Sequence, residues 1–194
     1  MAKKLQERLT RPSPGDLDIY HIISLLPIMP YQEIADICCG IGTLSVPLGK
    51  SVYRGNVIAM DSVKANLTVA RRELKNIRLS NVKARHIANE KKLPLKDESL
   101  DGVMSSFFVQ ASKKPSDILE EAHRVMRNGA WLALIEWRKD YTDEGPAVKS
   151  RISQDECRSM AEDKGFRFYM RHDFSEMAYM LLFLKLKYRR TAHC

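Results

Sequence analysis

Glu33-Ile34-Ala35-Asp36-Ile37-Cys38-Cys39-Gly40-Ile41-Gly42-Thr43 is an apolar run that breaks into small residues within one turn. Ile34, Ala35, Ile37 and Cys38 suit a strand covered on both faces. Gly40 and Gly42 admit backbone angles and a close ligand approach that a Cβ obstructs. A helix is expected from Thr43 to Lys50, its free N–H groups turned toward the loop's ligand. Pro47 falls near its first turn, where proline is tolerated.

Working outward, Asn56 to Asp61 reads as a second apolar strand ending in an acid. The helix after it places Val63, Leu67, Ala70, Leu74 and Ile77 on one face and basic residues on the other. Further strands are expected at Val82–Ile87, Leu100–Ser106 and Ala130–Trp137. A helix over Ser116–Arg127 precedes the last of these, closed by Asn128-Gly129 as a left-handed cap. Ser153-Gln154-Asp155-Glu156 is a capping box opening a helix that stops at Gly165. Phe166–His172 and Met177–Lys187 then form a hairpin-like pair. Upstream, Asp16 is the expected N-cap of a helix reaching Leu26, which Pro27 and Pro30 end. Alternating strands and helices predict an α/β fold, a parallel sheet with helices on both faces. Ligands of such sheets lie at the carboxyl ends of the strands. Gly40, Gly42, Asp61, Asn89 and Ser106 all fall there.

With 194 residues, 44% apolar and 29% charged, the chain suits one soluble domain and excludes disordered and fibrous classes. No apolar run approaches bilayer-spanning length, and the start of the chain lacks the apolar core of a signal peptide, so a cytoplasmic location is expected. The four cysteines, at 38, 39, 157 and 194, have no paired spacing and read as reduced, small buried residues rather than metal ligands. A net charge of +8 appears spread along the chain in basic pairs such as Lys3-Lys4, Arg71-Arg72 and Lys91-Lys92. No aromatics interleave with these pairs as a single-strand platform requires, which leaves contact with nucleic acid open.

Asp61 stands 25 residues beyond Asp36 at the next strand's end, where one carboxylate accepts both hydroxyls of a ribose. A dinucleotide fold would place a third glycine where Ser45 stands. An acid four residues ahead of Gly40 also answers a ligand with a positive group better than a diphosphate.

These residues resemble the class I S-adenosylmethionine-dependent methyltransferases, in the small ubiquinone/menaquinone-biosynthesis-like (methyltransferase type 11) group. Asp36 to Gly42 is similar to that family's Asp-Leu-Gly-Cys-Gly-Thr-Gly, and Ile58-Ala59-Met60-Asp61 to its second motif. Asn89 to Leu95 resembles its Asp-Ala-x-x-Leu-Pro-Phe, Leu100-Asp101-Gly102-Val103 its Phe-Asp-x-Val, and Leu119 to Gly129 its Glu-x-x-Arg-Val-Leu-Lys-Pro-Gly-Gly. The resemblance implies a Rossmann-like fold with a seven-stranded, mostly parallel sheet whose last strand is antiparallel. It implies S-adenosylmethionine as cofactor, with S-adenosylhomocysteine as product. The glycine loop, with Asp36, Cys38, Cys39, Gly40, Gly42 and Thr43, would meet the methionine portion. Asp61 and Ser62 would take the ribose, Asn89 and Glu90 the adenine, while Ser105, Ser106 and Phe107 face the methyl group. One domain, 1–194, is expected, with 1–33 a helical cap, 34–137 the cofactor-binding half and 138–194 the substrate side. Three positions depart from the pattern: Cys38 replaces the first glycine, Asn89 an acid, and Asn128-Gly129 the Pro-Gly-Gly.

Methyl transfer from a sulfonium is an in-line displacement that needs alignment first, and a general base only for an acceptor protonated at neutral pH. Candidates for a catalytic role are His21, Tyr20 and Ser106. No Asn-Pro-Pro-Tyr segment follows the fourth strand and no cysteine lies near it, which argues against adenine amino groups and pyrimidine carbon-5 as acceptors. A small molecule or lipid-like compound is the leading acceptor. RNA methylation on the basic surface and cofactor binding without catalysis are the alternatives. With few residues left to cap the site, a homodimer or a large acceptor is expected.

Overall fold

The computed structural model describes residues 17–88, 91–109, 112, 114–143, 145–174 and 176–186. Among the described residues there are seven strands and five α-helices. They are α1 (Ile19–Ser24), β1 (Glu33–Ile37), α2 (Ser45–Ser51), β2 (Asn56–Asp61), α3 (Lys64–Asn76), β3 (Val82–His86), β4 (Leu100–Ser106), α4 (Pro115–Val125), β5 (Met126–Trp137), α5 (Gln154–Glu162), β6 (Phe166–Phe174) and β7 (Ala178–Lys185). One sheet of order β3-β2-β1-β4-β5-β7-β6 contains them all. β7 is antiparallel to both of its neighbours, β5 and β6, and the other pairings are parallel. This is the expected Rossmann-like arrangement with its single reversed strand.

The central strands are largely apolar because both faces are covered. On one side, Ile118, Leu119, Ala122 and Val125 of α4 and Cys157 and Ala161 of α5 pack on Ala35, Ile37, Val103 and Leu132. On the other, Ile22 of α1, Leu48 of α2 and Leu67 and Leu74 of α3 pack on Ile34, Val57, Met104 and Trp131. Burying a leucine of this kind contributes about 1.5–3 kcal/mol, so each helix is held mainly by its inner stripe. Among the described residues, no helix is long and apolar enough to cross a membrane.

Three sequence expectations are corrected. The first helix is short and takes Asp18 as N-cap, through Oδ1 accepting from the His21 N–H at 3.0 Å. Asp16 and the Pro12–Gly15 turn lie outside the described residues. Asn128-Gly129 is not a helix cap: α4 ends at Val125 and β5 begins at once with Met126. Gly129 instead takes its left-handed angle (φ +85°) inside an irregularity of β5, where Leu100 pairs with Met126 but Gly102 with Trp131. The third concerns Ile77, which is exposed rather than part of the buried stripe of α3. The capping box at Ser153 and Glu156 forms as expected, with both reciprocal bonds.

Candidate active site

β1 delivers Asp36 fully buried, and its Oδ2 accepts from the Ser45 hydroxyl at 2.5 Å. Ser45 is the first residue of α2, so this bond ties the two ends of the glycine loop together. Between them the backbone turns left-handed three times, at Cys38 (φ 60°), Gly40 (57°) and Gly42 (89°). Gly42 is needed for packing: a Cβ there would sit 3.3 Å from the Ala70 Cβ of α3. Cys38 occupies the conformation its motif reserves for glycine, while its side chain joins the α4/α5-side core and that of Cys39 the opposite one. A left-handed residue with a Cβ costs about 1–2 kcal/mol. Cys38→Gly is therefore expected to be more stable than Cys38→Ala by about 1 kcal/mol in denaturant unfolding, the reverse of the order within strands and helices. Equal stability of the two variants would contradict a strained Cys38.

The carboxylate of Asp61 is buried against this loop. Its Oδ2 accepts from the Gly40 N–H at 2.8 Å, and its Oδ1 from the Val63 N–H at 2.7 Å and the Asn66 amide at 3.4 Å. The end of β2 thus braces the tip of the glycine loop and the entry to α3 together. Both oxygens are held in place by donors that belong to the backbone, an arrangement fixed before any ligand arrives.

At the ends of β4 and β5, Ser105 and Ser106 are buried, and the Ser105 hydroxyl has no hydrogen-bond partner among the described residues. Phe107 turns left-handed (φ 56°), with its N–H donating to the Ile135 carbonyl at 2.6 Å. Glu136 Oε1 accepts from the Phe108 and Val109 N–H groups at 3.1 and 2.7 Å, which fastens the segment after β4 to β5. Burial, with Glu136 as the lesser cause, pushes the nearby Cys157 thiol far above its ordinary range, so it stays protonated.

Aromatic rings line the other side. Phe107 lies 5.5 Å from Trp137, which stacks on Tyr141 at 6.0 Å and 16°. The buried Arg151 guanidinium lies 5.3 Å from the Trp137 ring centre and donates to the carbonyls of Pro146, Arg138 and Tyr141. One side chain thereby organises the whole 138–150 connection beside the strand ends. Phe174 ends β6 and contacts His21 of α1 edge-on, with His172 completing the cluster.

The structure thus gathers Asp36, Cys38, Cys39, Gly40, Gly42 and Asp61 into one braced loop, with Thr43 half-buried at its exit and Ser62 exposed beside it. Ser105, Ser106 and Phe107 stand at the end of β4. Asn89 and Glu90 lie outside the described residues. Of the catalytic candidates, Tyr20 is 75% exposed, His21 is packed edge-on against His172 and Phe174, and Ser106 is buried. Ser45 and Arg151 escaped the sequence reading. Ser45 was visible only as a missing glycine, and Arg151 carries no local signal.

The sequence profile described as "Methyltransferase domain" matches residues 35–134, which run from within β1 to within β5. The chain belongs to the methyltransferase domain family. Among relatives of this methyltransferase are the demethylmenaquinone methyltransferase of Alkalihalophilus pseudofirmus, 29% identical over 112 residues (57% of this chain, 47% of that one), and its counterpart from Oceanobacillus iheyensis, 31% identical over 106 residues (54% and 44%). The chain spans about half the length of these curated relatives. A crystal structure of a SAM-dependent methyltransferase from Aquifex aeolicus aligns with a TM-score of 0.85 at 25% identity, covering 95% of this chain and 98% of that one. The chain thus carries a methyltransferase domain of the class I fold, the fold of that S-adenosylmethionine-dependent enzyme. The residues present fit S-adenosylmethionine: a preorganised acid at the end of β2, a glycine loop braced at both ends, and a buried hydroxyl at Ser105 with no hydrogen-bond partner among the described residues. Among the described residues, no group of three or more His, Cys, Asp or Glu is placed to hold a metal ion.

Proposed function

We propose that this chain transfers the methyl group of S-adenosylmethionine to an apolar, ring-containing small molecule of lipid-like character. The observation that carries the acceptor class is the pair of half-buried rings beyond the ends of β4 and β5, Phe107 and Tyr141, backed by the buried Trp137. Aromatic faces of this kind hold a flat apolar acceptor by stacking and exclude water from it. Two of the relatives are demethylmenaquinone methyltransferases, which agrees with such an acceptor.

In this reading Asp61 takes the ribose hydroxyls, the 38–43 loop meets the methionine portion, and Ser105 supplies a hydroxyl near the sulfur end. Residues 34–137 form the cofactor-binding half, and 138–194 with the N-terminal segment form the acceptor side. Bound there, the cofactor supplies an activated methyl group on a positive sulfur. The chain's own contribution is alignment: Glu136 fixes the backbone after β4 and Arg151 fixes the aromatic wall, so the acceptor meets a prearranged surface.

The test is a methyl-tritium transfer screen with the purified chain against a lipid extract, a metabolite pool and total RNA. Label is expected in the organic-soluble fraction. Label confined to RNA would overturn the acceptor class. No label anywhere, alongside intact cofactor binding, would overturn catalysis.

A further inference from the structure

Residues 64–96 hold ten lysines and arginines against two acids, Glu73 and Glu90, a net charge of +8 that equals that of the whole chain. The excess is therefore concentrated, and the remainder of the chain is balanced. All ten basic residues are exposed. The next two acids, Asp97 and Glu98, are drawn to Arg124 and Lys185. Among the described residues, none of Lys64, Arg72, Lys75, Arg78 and Lys83 has an acid within ion-pair distance.

The fold brings these charges to one edge. β3 is the last strand of the sheet on that side, and α3 packs over it. Lys64, Arg71, Lys75 and Arg78 follow one another seven, four and three residues apart, which makes a single stripe down α3 and its exit. Arg71 donates to the Ala84 carbonyl of β3 at 3.0 Å, so the stripe lies on the β3 side of the helix. Val82 and Ala84 face the α3-side core, which sends the alternate residues Lys83 and Arg85 to the opposite face. There Arg85 donates to the Pro94 carbonyl at 2.8 Å and holds the segment with Lys91, Lys92 and Lys96 alongside. Basic side chains thus flank the edge strand from both layers.

Charges on an edge strand block unwanted strand pairing. Lys83 and Arg85 fill that role by themselves, and eight further charges remain. A broad anionic partner engages both rows at once. The segment contains no Phe, Trp or Tyr, the residues on which nucleic-acid bases stack. The exposed apolar side chains of α3, Val69 and Ile77, lie off the stripe, so contact is with headgroups rather than by insertion. We propose that the α3–β3 edge is a docking surface for an anionic lipid bilayer. α3 begins three residues after Asp61, so docking sets the rim of the proposed cofactor site beside the headgroups. This places the chain where a lipid-like acceptor resides, a purpose that rests on the function proposed above, although the docking itself does not.

The test is co-sedimentation of the full chain with phosphatidylcholine vesicles, with and without phosphatidylglycerol. Binding is expected only with phosphatidylglycerol and should fall steeply with added salt. Removing a basic side chain is worth roughly fivefold, so the combined change Arg72→Gln, Lys75→Gln and Lys83→Gln should lower partitioning by about 100-fold. Affinity for S-adenosylhomocysteine and the unfolding midpoint should stay unchanged, showing that the variant is folded. Equal binding to neutral vesicles, or a variant that binds like the parent, would overturn the proposal. So would tight binding of single-stranded RNA with no binding to vesicles. These readouts need no acceptor, so failure here and failure of methyl transfer are told apart.

Discussion

Asp61→Ala is expected to weaken binding of S-adenosylmethionine and S-adenosylhomocysteine by at least about 100-fold, equivalent to about 2.7 kcal/mol. Two losses combine. In the proposed binding mode the ribose loses its carboxylate acceptor, and the Gly40 and Val63 N–H groups lose theirs as well. A hydrogen bond to a charged group contributes about 1.5–3 kcal/mol, and here the donors sit in a buried loop that already carries left-handed residues. The alanine variant should therefore also be less stable without ligand, by about 2–3 kcal/mol. Asp61→Asn separates the two contributions. Its single oxygen can serve one of the two N–H groups, while its NH2 faces the other donor, so loop bracing and ligand affinity should fall by different amounts. Titration calorimetry measures affinity and denaturant unfolding measures bracing. An alanine variant with unchanged affinity would remove Asp61 from the cofactor site.

The elements around Asp61 were legible because their signals are local. An apolar strand, a cluster of glycines and an acid at the end of the next strand lie within 28 residues, Glu33 to Asp61, and β2 and β4 have the bounds their patterns predict. Where two local signals competed, the sequence was ambiguous. Asn128-Gly129 has the composition of a helix cap, yet the pairing of Met126 with Leu100 starts β5 immediately and turns the same residues into a strand irregularity. Asp16 and Asp18 both suit an N-cap, and only the position of His21 decides for Asp18.

What escaped were bonds between residues distant in sequence. Glu136 reads as an acid at a strand end that could border the acceptor, but it holds two backbone donors 27 and 28 residues away. Arg151 reads as a surface charge in a polar connection, but it is buried against Trp137 and serves three carbonyls. The concentration of charge between Lys64 and Lys96 was present in the sequence. It became a surface only once β3 was placed at the edge of the sheet.

Gly102→Ala should be the most damaging small substitution in the core. A Cβ at Gly102 would lie 2.2 and 2.3 Å from two carbons of the Trp131 ring, far inside contact distance. The strand has no easy escape. Gly102 is in register with Ile34 on one side and Trp131 on the other, at the centre of the sheet. Nor does the indole, which is buried and donates to Gln32 Oε1 at 3.3 Å. Its core cluster includes Ile22 and Leu26 from α1 and the end of that helix, so a displaced ring disturbs the N-terminal cover as well. Overpacking of this severity costs about 3 kcal/mol or more, which lowers the unfolding midpoint by about 10 °C in a chain of this size. β1, β4 and β5 end at the glycine loop, Ser106 and Trp137, so cofactor affinity should fall with stability. Trp131→Leu provides the control. Alone it destabilises by leaving a cavity, but combined with Gly102→Ala it should cost at least about 1 kcal/mol less than the sum of the two. Simple additivity would mean that the damage at Gly102 does not come from the indole.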